Sequence, residues 1–340
     1  MDRIRIGTRG SAPASKKFPV DDNQVGKNLD DGGFNVDRIR IGTRGSALAL
    51  WQANFIATEL KKFFPSMAVE LIKISTKGDR ILDAPLSKIG GKGLFTREIE
   101  TALLDGRIDL AVHSLKDVPA ELPTEFLIGA ITRRADPFDA FVSNRFGAIE
   151  ELPRGAVVGT SSLRRRAQLL ALRSDLTVED LRGNVETRLK KLDAGMFDAI
   201  ILAAAGLRRL GFGDRIRAEL SPTVMMPAVG QGALAVELVK GNRAVAEIIR
   251  VLDDGLTRAA VSAERSFLRV IEGGCQVPVG VYATVEAKKI TVEGLIASLD
   301  GVKIIRGSTV GLIDDAGRLG SMLAEKLLSD GGRQILEALK

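Results

Sequence analysis

The sequence predicts an α/β protein of two similar lobes with mixed, mostly parallel sheets, followed by a small C-terminal α+β domain. Three observations carry this. From Arg38 onward, short apolar runs ending in turn residues alternate with helix-period segments, the pattern of strand–helix–strand units. The 340 residues exceed what one ordinary core accommodates. The opening Ile41-Gly42-Thr43-Arg44-Gly45-Ser46 has a counterpart in Val158-Gly159-Thr160-Ser161-Ser162-Leu163, each a strand ending in Gly-Thr before a helix, so the second lobe repeats the first.

In order, Ile39 to Ile41 reads as a strand, Gly42 to Gly45 as a turn and Ser46 as an N-cap; Leu48, Trp51, Phe55, Ile56 and Leu60 mark a helix face. Strands are expected at Val69 to Ile74, Leu110 to His113, Phe126 to Ala130, Phe138 to Val142, Ala156 to Gly159, Ala199 to Ala203 and Ala233 to Glu237. After Gly255 come a helix from Ala259 to Ile271, strands at Val279 to Thr284, Ile290 to Leu299 and Val302 to Val310, and a helix from Ala316 to Leu328. The expected domains are 37–133 with 232–250, then 138–226, then 255–340. Asp2 to Ala12 reads DRIRIGTRGSA, and Asp37 to Ala47 repeats it. The first copy runs into a polar, Gly- and Asp-rich stretch with no apolar face, so residues 1–36 are expected to be a disordered extension.

Composition narrows the chemistry. Hydrophobic residues are 45% and charged residues 27%, the balance of a globular chain. No run of eighteen apolar residues and no apolar stretch after Met1 is present, so the expectation is a cytoplasmic protein with no membrane span. One cysteine, Cys275, and one histidine, His113, leave no intramolecular disulfide and no Cys/His zinc cage, and no metal is expected. The net charge of +6 favours an anionic partner, while 4% aromatic residues are too few for single-strand stacking platforms. Nucleic acid is therefore disfavoured against a small polyanion.

Cys275 lies in Glu272-Gly273-Gly274-Cys275-Gln276-Val277-Pro278 and reads either as a small buried hydrophobe or as a soft nucleophile presented by a loop. The run from Asp109 to Pro119 places His113, Ser114, Lys116 and Asp117 at the carboxyl end of a strand, where α/β sheets gather ligands; a surface Lys-Asp turn is the bland alternative. Both Gly-Thr openings start helices, whose free N–H groups attract anions. Arg164-Arg165-Arg166, Arg182, Arg188 and Arg208-Arg209 suggest guanidiniums converging on a ligand with many acid groups. Gly90-Gly91-Lys92-Gly93 lacks the spacing of a phosphate loop and reads as a mobile loop at the cleft mouth. Pro227 to Ala233 reads as a return strand with a tight turn and is assigned no chemistry.

From about residue 38 to 340, the motifs TRGSALALWQA, GGKGLF, DLAVHSLKDVP, GTSSLRRR, LRGNVETRL, DAIILAAAGLRRLG, PAVGQGALA and EGGCQVPVG stand in one order. In these the sequence closely resembles the porphobilinogen deaminase, or hydroxymethylbilane synthase, family. The resemblance implies a transferase of tetrapyrrole and heme biosynthesis that joins four porphobilinogen molecules head to tail, releases ammonia each time, and frees hydroxymethylbilane by hydrolysis. It implies a dipyrromethane cofactor held through a thioether to Cys275, and Asp117 as the catalytic carboxylate that stabilises positive charge on pyrrole nitrogens. It implies cofactor and substrate binding by Arg44, Ser46, Lys116, Thr160, Ser161, Ser162, Arg164, Arg165, Arg182, Arg188 and Arg209. It also implies a cytoplasmic monomer with hinges near 133–138 and 226–233, and a two-lobed fold resembling type II periplasmic binding proteins. Gly45 departs from the longer polar residue of many relatives and could loosen the turn carrying Arg44 and Ser46. The competing expectation is a small polyanion-binding protein of the periplasmic type without catalysis.

Overall fold

The computed structural model describes residues 36–80, 96–271 and 277–339. The first DRIRIGTRGSA copy, the Gly90-Gly91 loop with Lys92, and Cys275 lie outside the described residues. Of the stretch expected to be disordered only Val36 is described, and it packs against the first core.

Strands β1 (Arg38–Thr43), β2 (Ala68–Lys73), β3 (Leu110–Ser114), β4 (Phe126–Ile131) and β10 (Leu234–Val239) form a sheet in the order β2-β1-β3-β10-β4. β1 runs parallel to β2 and β3, while β10 runs antiparallel to β3 and β4. A second sheet of β5 (Asp139–Val142), β6 (Val157–Gly159), β7 (Thr177–Glu179), β8 (Ala199–Ala203) and β9 (Ala218–Leu220) is ordered β7-β6-β8-β5-β9 with the same sense in each equivalent pair. In each sheet the antiparallel strand is the one that enters from the other, β5 after β4 and β10 after β9. The chain therefore crosses between the sheets twice, over 132–138 and 221–233.

The repetition expected from the two Gly-Thr openings extends to packing. A Cβ on Gly42 would fall 2.2 Å from Ile108 Cδ1, and one on Gly159 would fall 2.9 Å from Phe197 Cδ1. Each large side chain stands two residues before the neighbouring parallel strand, so both glycines are bare where that side chain crosses the strand. Asp109 then accepts from the backbone N–H of Arg40 at 2.7 Å, and Asp198 from that of Val157 at 2.8 Å. The strands β7 (Thr177-Val178-Glu179) and β9 (Ala218-Glu219-Leu220) are interrupted by polar residues and carry no strand signal, whereas the equally short β6 is part of a continuous apolar run.

The first sheet buries Ile39, Ile41, Leu110, Leu234 and Val236 against helix α1 (Ala47–Phe63), with α2 (Arg97–Leu104) beside it. In the second lobe, helices α3 (Leu163–Leu172), α4 (Val185–Asp193) and α5 (Ala204–Arg209) accompany cores around Phe141, Val158 and Ile201 and around Val142, Leu189 and Ile200. Short α6 (Arg243–Ile249) closes the first core. The remaining sheet is antiparallel, β11 (Val279–Glu286), β12 (Lys289–Ala297) and β13 (Ile304–Leu312), with α7 (Gly255–Val270) and α8 (Ala316–Leu327) packed on it. Its strands β12 and β13 end and begin around a turn at Ser298–Lys303, where Asp300 accepts from Val302 N, two residues off the expected boundaries.

One buried carboxylate joins these parts. Glu264 on α7 accepts from Arg134 at 2.6 and 3.1 Å in the first crossover, from Gly230 N at 2.7 Å in the second, and from Ala283 N at 2.9 Å in β11. The crossovers also touch each other at Gly232, whose φ is +94° and whose Cβ, if present, would stand 2.5 Å from the Ala135 carbonyl oxygen. Gly232→Ala should cost about 2–3 kcal/mol of stability and lower the thermal midpoint, because backbone must yield on both sides. Gly45→Ala, where a Cβ meets nothing within 4 Å, should shift stability by no more than about 0.5 kcal/mol in the same calorimetric comparison.

Candidate functional site

The carboxyl end of β3 and the starts of α1 and α3 face a cleft of ≈ 880 Å³. Beyond Ser114 the chain tightens into a 3₁₀ turn, Leu115–Asp117, which buries Leu115 and turns Lys116 and Asp117 to the cleft. Ser46 caps α1 by accepting from Ala49 N at 3.3 Å, and Ser162 caps α3 by accepting from Arg165 N at 3.4 Å. The absent side chain at Gly45 leaves this capping in place.

Among the described residues, the cleft is lined by seven cationic side chains, Arg44, Lys73, Lys116, Arg165, Arg182, Arg188 and Arg209, against one carboxylate, Asp117. Ser46 and Ser161 join the lining from the expected set. Thr160 is buried, its Oγ1 accepting from Ser162 N at 3.2 Å, and Ser162 is spent on the cap. Arg164 lies beneath the cleft wall, donating to Asp139 at 2.8 Å and to the Met226 carbonyl at 2.6 Å. Arg165 donates to Asp139 at 2.7 Å and to the Ile201 carbonyl at 2.9 Å, and its buried Nε has no partner. Burial pushes the Asp139 carboxyl up, but the two guanidiniums overrule this and hold it well below the usual carboxylate range.

Local structure aims the other arginines. Gly183, at φ +110°, makes the turn before α4, Asn184 caps that helix at 2.8 Å, and Arg188 Nε donates back to the Gly183 carbonyl at 2.8 Å. Arg209 ends α5, donates to the Gly232 carbonyl at 2.6 Å and lies 5.5 Å over the ring of Trp51 on α1, bridging the two lobes. Neither Arg188 nor Arg209 has an ion pair among the described residues. Burial pushes Arg188 down to about 10, with the charge of Arg165 adding to this and Asp117 opposing it, and burial alone pushes Arg209 down to about 10. Lys116 falls to about 8, first through burial and then through Arg165, against the pull of Asp117 and Asp139.

Gln231, in the segment assigned no chemistry, also lines the cleft. Its Nε2 donates to Pro137 O at 2.7 Å and Asp139 Oδ1 at 2.9 Å, and its Oε1 accepts from Lys116 Nζ at 3.5 Å. No local signal marks it, because its partners come from other elements. Arg265 on α7 donates to the Pro119 and Ala120 carbonyls at 2.7 and 3.1 Å, clamping the chain that leaves Asp117. Among the described residues no cluster that could hold a metal ion occurs, and no helix is long and apolar enough to cross a membrane.

Residues 39–247 match the family model described as porphobilinogen deaminase, dipyrromethane cofactor binding domain, and residues 258–329 match the porphobilinogen deaminase C-terminal domain. The chain is 52% identical over 292 residues to the porphobilinogen deaminase of Thiobacillus denitrificans, covering 86% of this chain and 95% of that one. It is 51% identical over 292 residues to that of Chromobacterium violaceum, covering 86% and 94%. Among solved structures, the methionine-binding protein MetQ superposes with a TM-score of 0.40 at 13% identity, over 64% of this chain and 89% of its own. The periplasmic VFT2 domain of Bordetella pertussis BvgS gives 0.39 at 13% identity, over 64% and 87%. On the two family models and the relatives sharing half its residues, the chain belongs to the porphobilinogen deaminase family.

Proposed function

We propose that this chain joins four porphobilinogen molecules head to tail on a dipyrromethane primer, releasing ammonia at each joining and hydroxymethylbilane at the end. The observation that carries the reading is the charge of the cleft: seven cations face one carboxylate, and two of the arginines are depressed by burial with no ion pair among the described residues. Such a wall is costly unless anions enter it. Each pyrrole ring of this substrate brings two carboxylates, which supply the missing charge.

The residues present fit the cofactor on the same ground. Arg188 and Arg209, with no ion pair among the described residues, line a space of ≈ 880 Å³, and a dipyrromethane offers carboxylates of the kind they lack. When bound, that group supplies the primer to which substrate is joined. We assign its attachment to the Cys275 sulfur and its carboxylate contacts to Arg44, Ser46, Lys116, Ser161, Arg165, Arg182, Arg188 and Arg209. Thr160, Ser162 and Arg164 support that wall from behind, through the α3 cap and Asp139. Asp117, the one carboxylate among these cations in the described residues, stabilises positive charge arising on pyrrole nitrogen and takes up the proton lost from ring carbon. The three sheets act as domains 37–133 with 232–250, 138–226 and 255–340, hinged at 133–138 and 226–233, in a cytoplasmic monomer.

The intact mass of the denatured protein should exceed that of the chain by two pyrrole units, and Cys275→Ser should lose this increment. A bare-chain mass after incubation with porphobilinogen would refute the assignment. Asp117→Ala should fold with an unchanged thermal midpoint yet release ammonia at least roughly 10²-fold more slowly; near-normal turnover would remove Asp117 from the reaction. As a binding protein without catalysis, the chain would instead hold porphobilinogen and release no ammonia.

Lys116 gives the cleft a pH signature. Its folded value of about 8 lies below the 10.5 of a free lysine, so between these the unfolded chain carries the extra proton and stability rises with pH. A bound polycarboxylate restores the proton, so affinity should fall as pH rises through the same window. Titrating benzene hexacarboxylate against fluorescence of Trp51, the chain's one tryptophan, should show this loss from pH 8 upward, before Arg188 and Arg209 near 10 contribute. Lys116→Met should flatten both slopes.

A further inference from the structure

A side pocket of ≈ 70 Å³ adjoins the cleft, with Arg44, Ser46, Gln52, His113, Ser114 and Asp117 in its walls. His113, the one histidine of the chain, stands on β3 four residues before Asp117. Its Nε2 lies 2.9 Å from Glu237 Oε2 on β10, and the two side chains are 6% and 1% exposed. The register explains the pairing: β10 runs antiparallel with Ala235 opposite His113, so Glu237 sits two residues along on the same face. The other Glu237 oxygen is buried and has no partner. A carboxylate so enclosed requires either a cation or a proton beside it, and an imidazole supplies both.

We propose that the buried His113–Glu237 pair, facing Asp117 across this polar pocket, is a proton relay for the reaction in the cleft. It acts through Asp117 and does not touch substrate, and it rests on the ring-joining activity proposed above. Each joining breaks the C–N bond of a protonated amine, whose electron pair leaves with nitrogen as ammonia; a C–C bond forms, and a C–H bond breaks, its electron pair returning to the ring. One proton is thereby left for the protein at each joining. Asp117 is the carboxylate facing the rings, and to serve four times it must shed that proton. The pocket is polar and large enough for a bridging water between Asp117 and the imidazole, with Gln52 Nε2 donating to Ser114 Oγ at 2.7 Å in its wall. From β10 and α2 the imidazole faces Glu237 and Glu100; across the pocket it faces Asp117 and Arg44, and Arg97 also lies on α2. Burial, with the charge of Glu237 adding to it, pushes the Glu100 carboxyl up, which marks a region already crowded with negative charge. A proton arriving at the pair is therefore held there between the breaking of the C–H bond and the departure of nitrogen, and it returns through Asp117 to the released ammonia, which leaves as ammonium and restores the pair.

Because there is one histidine, its Cε1–H resonance is unique in the proton spectrum of the full chain. The pH dependence of that resonance should differ between Asp117→Asn and the parent, since the two groups share a pocket. An identical titration in both overturns the coupling. Glu237→Gln keeps volume and a polar contact while removing the charge, and His113→Gln keeps a nitrogen near Nε2. In each, kcat for ammonia release should fall roughly 10²-fold with KM within about threefold. Parent-like kcat in Glu237→Gln overturns the relay even if His113→Gln fails to fold. A parent protein that releases no ammonia from porphobilinogen would instead remove the function on which the relay rests, while the histidine titration would still report whether Asp117 and His113 are coupled.

Discussion

The cleft depends on a carboxylate that never meets it. Asp139 is fully buried at the start of β5, with Arg164 on one oxygen and Arg165 and Gln231 on the other. A buried ion pair is weak evidence of net stability, because desolvation offsets much of the attraction. Its value here is directional: three side chains from three segments share one anion, and the planar guanidiniums allow few arrangements that satisfy it. Arg165 is thereby fixed where it lines the cleft, its buried Nε left without a partner. Remove Asp139 and two guanidiniums remain buried without their counter-charge, so the wall and the α3 helix that supplies it would relax together.

That anchoring lets the fold store positive charge. Separated arginines on the surface would be hydrated and screened; here burial lowers the affinity of Arg188, Arg209 and Lys116 for their protons, so the cleft is poised to gain from any anion that enters. Backbone carbonyls at Gly183 and Gly232 hold Arg188 and Arg209 in place without neutralising them. A carbonyl orients a guanidinium, while a carboxylate would have ended its usefulness as a partner for one.

The two sheets and the third domain meet around the same few groups. Glu264 ties α7 to both crossovers and to β11, Gln231 ties the second crossover to the first and to Lys116, and Arg209 leans on Trp51 across the lobes. α7 also holds the chain after Asp117 through Arg265 before it runs toward the segment that contains Cys275. A change in the angle between the lobes would therefore be felt at Lys116, Arg165 and Arg209 together, which suits a cleft that must house a growing chain.

Most of the architecture was legible because it is local. The Gly-Thr openings, the Ser46 cap and the apolar runs of β1, β3, β8 and β10 rely on neighbours within a few positions, and period and capping chemistry report them. The motifs likewise pointed to Arg44, Lys116, Asp117, Arg182, Arg188 and Arg209, which do line one cleft. What the chain alone could not disclose was the division of labour among similar residues. Adjacent arginines 164 and 165 read alike, yet one is consumed beneath the wall and the other reaches it. Gln231 lies inside PAVGQGALA yet was given no role there, and Glu237 carried no mark. Their roles come from Asp139, 92 residues from Gln231, and from His113, 124 residues from Glu237. A buried polar group is defined by the partner that satisfies it, and only the crossing of the chain between two sheets brings such partners together.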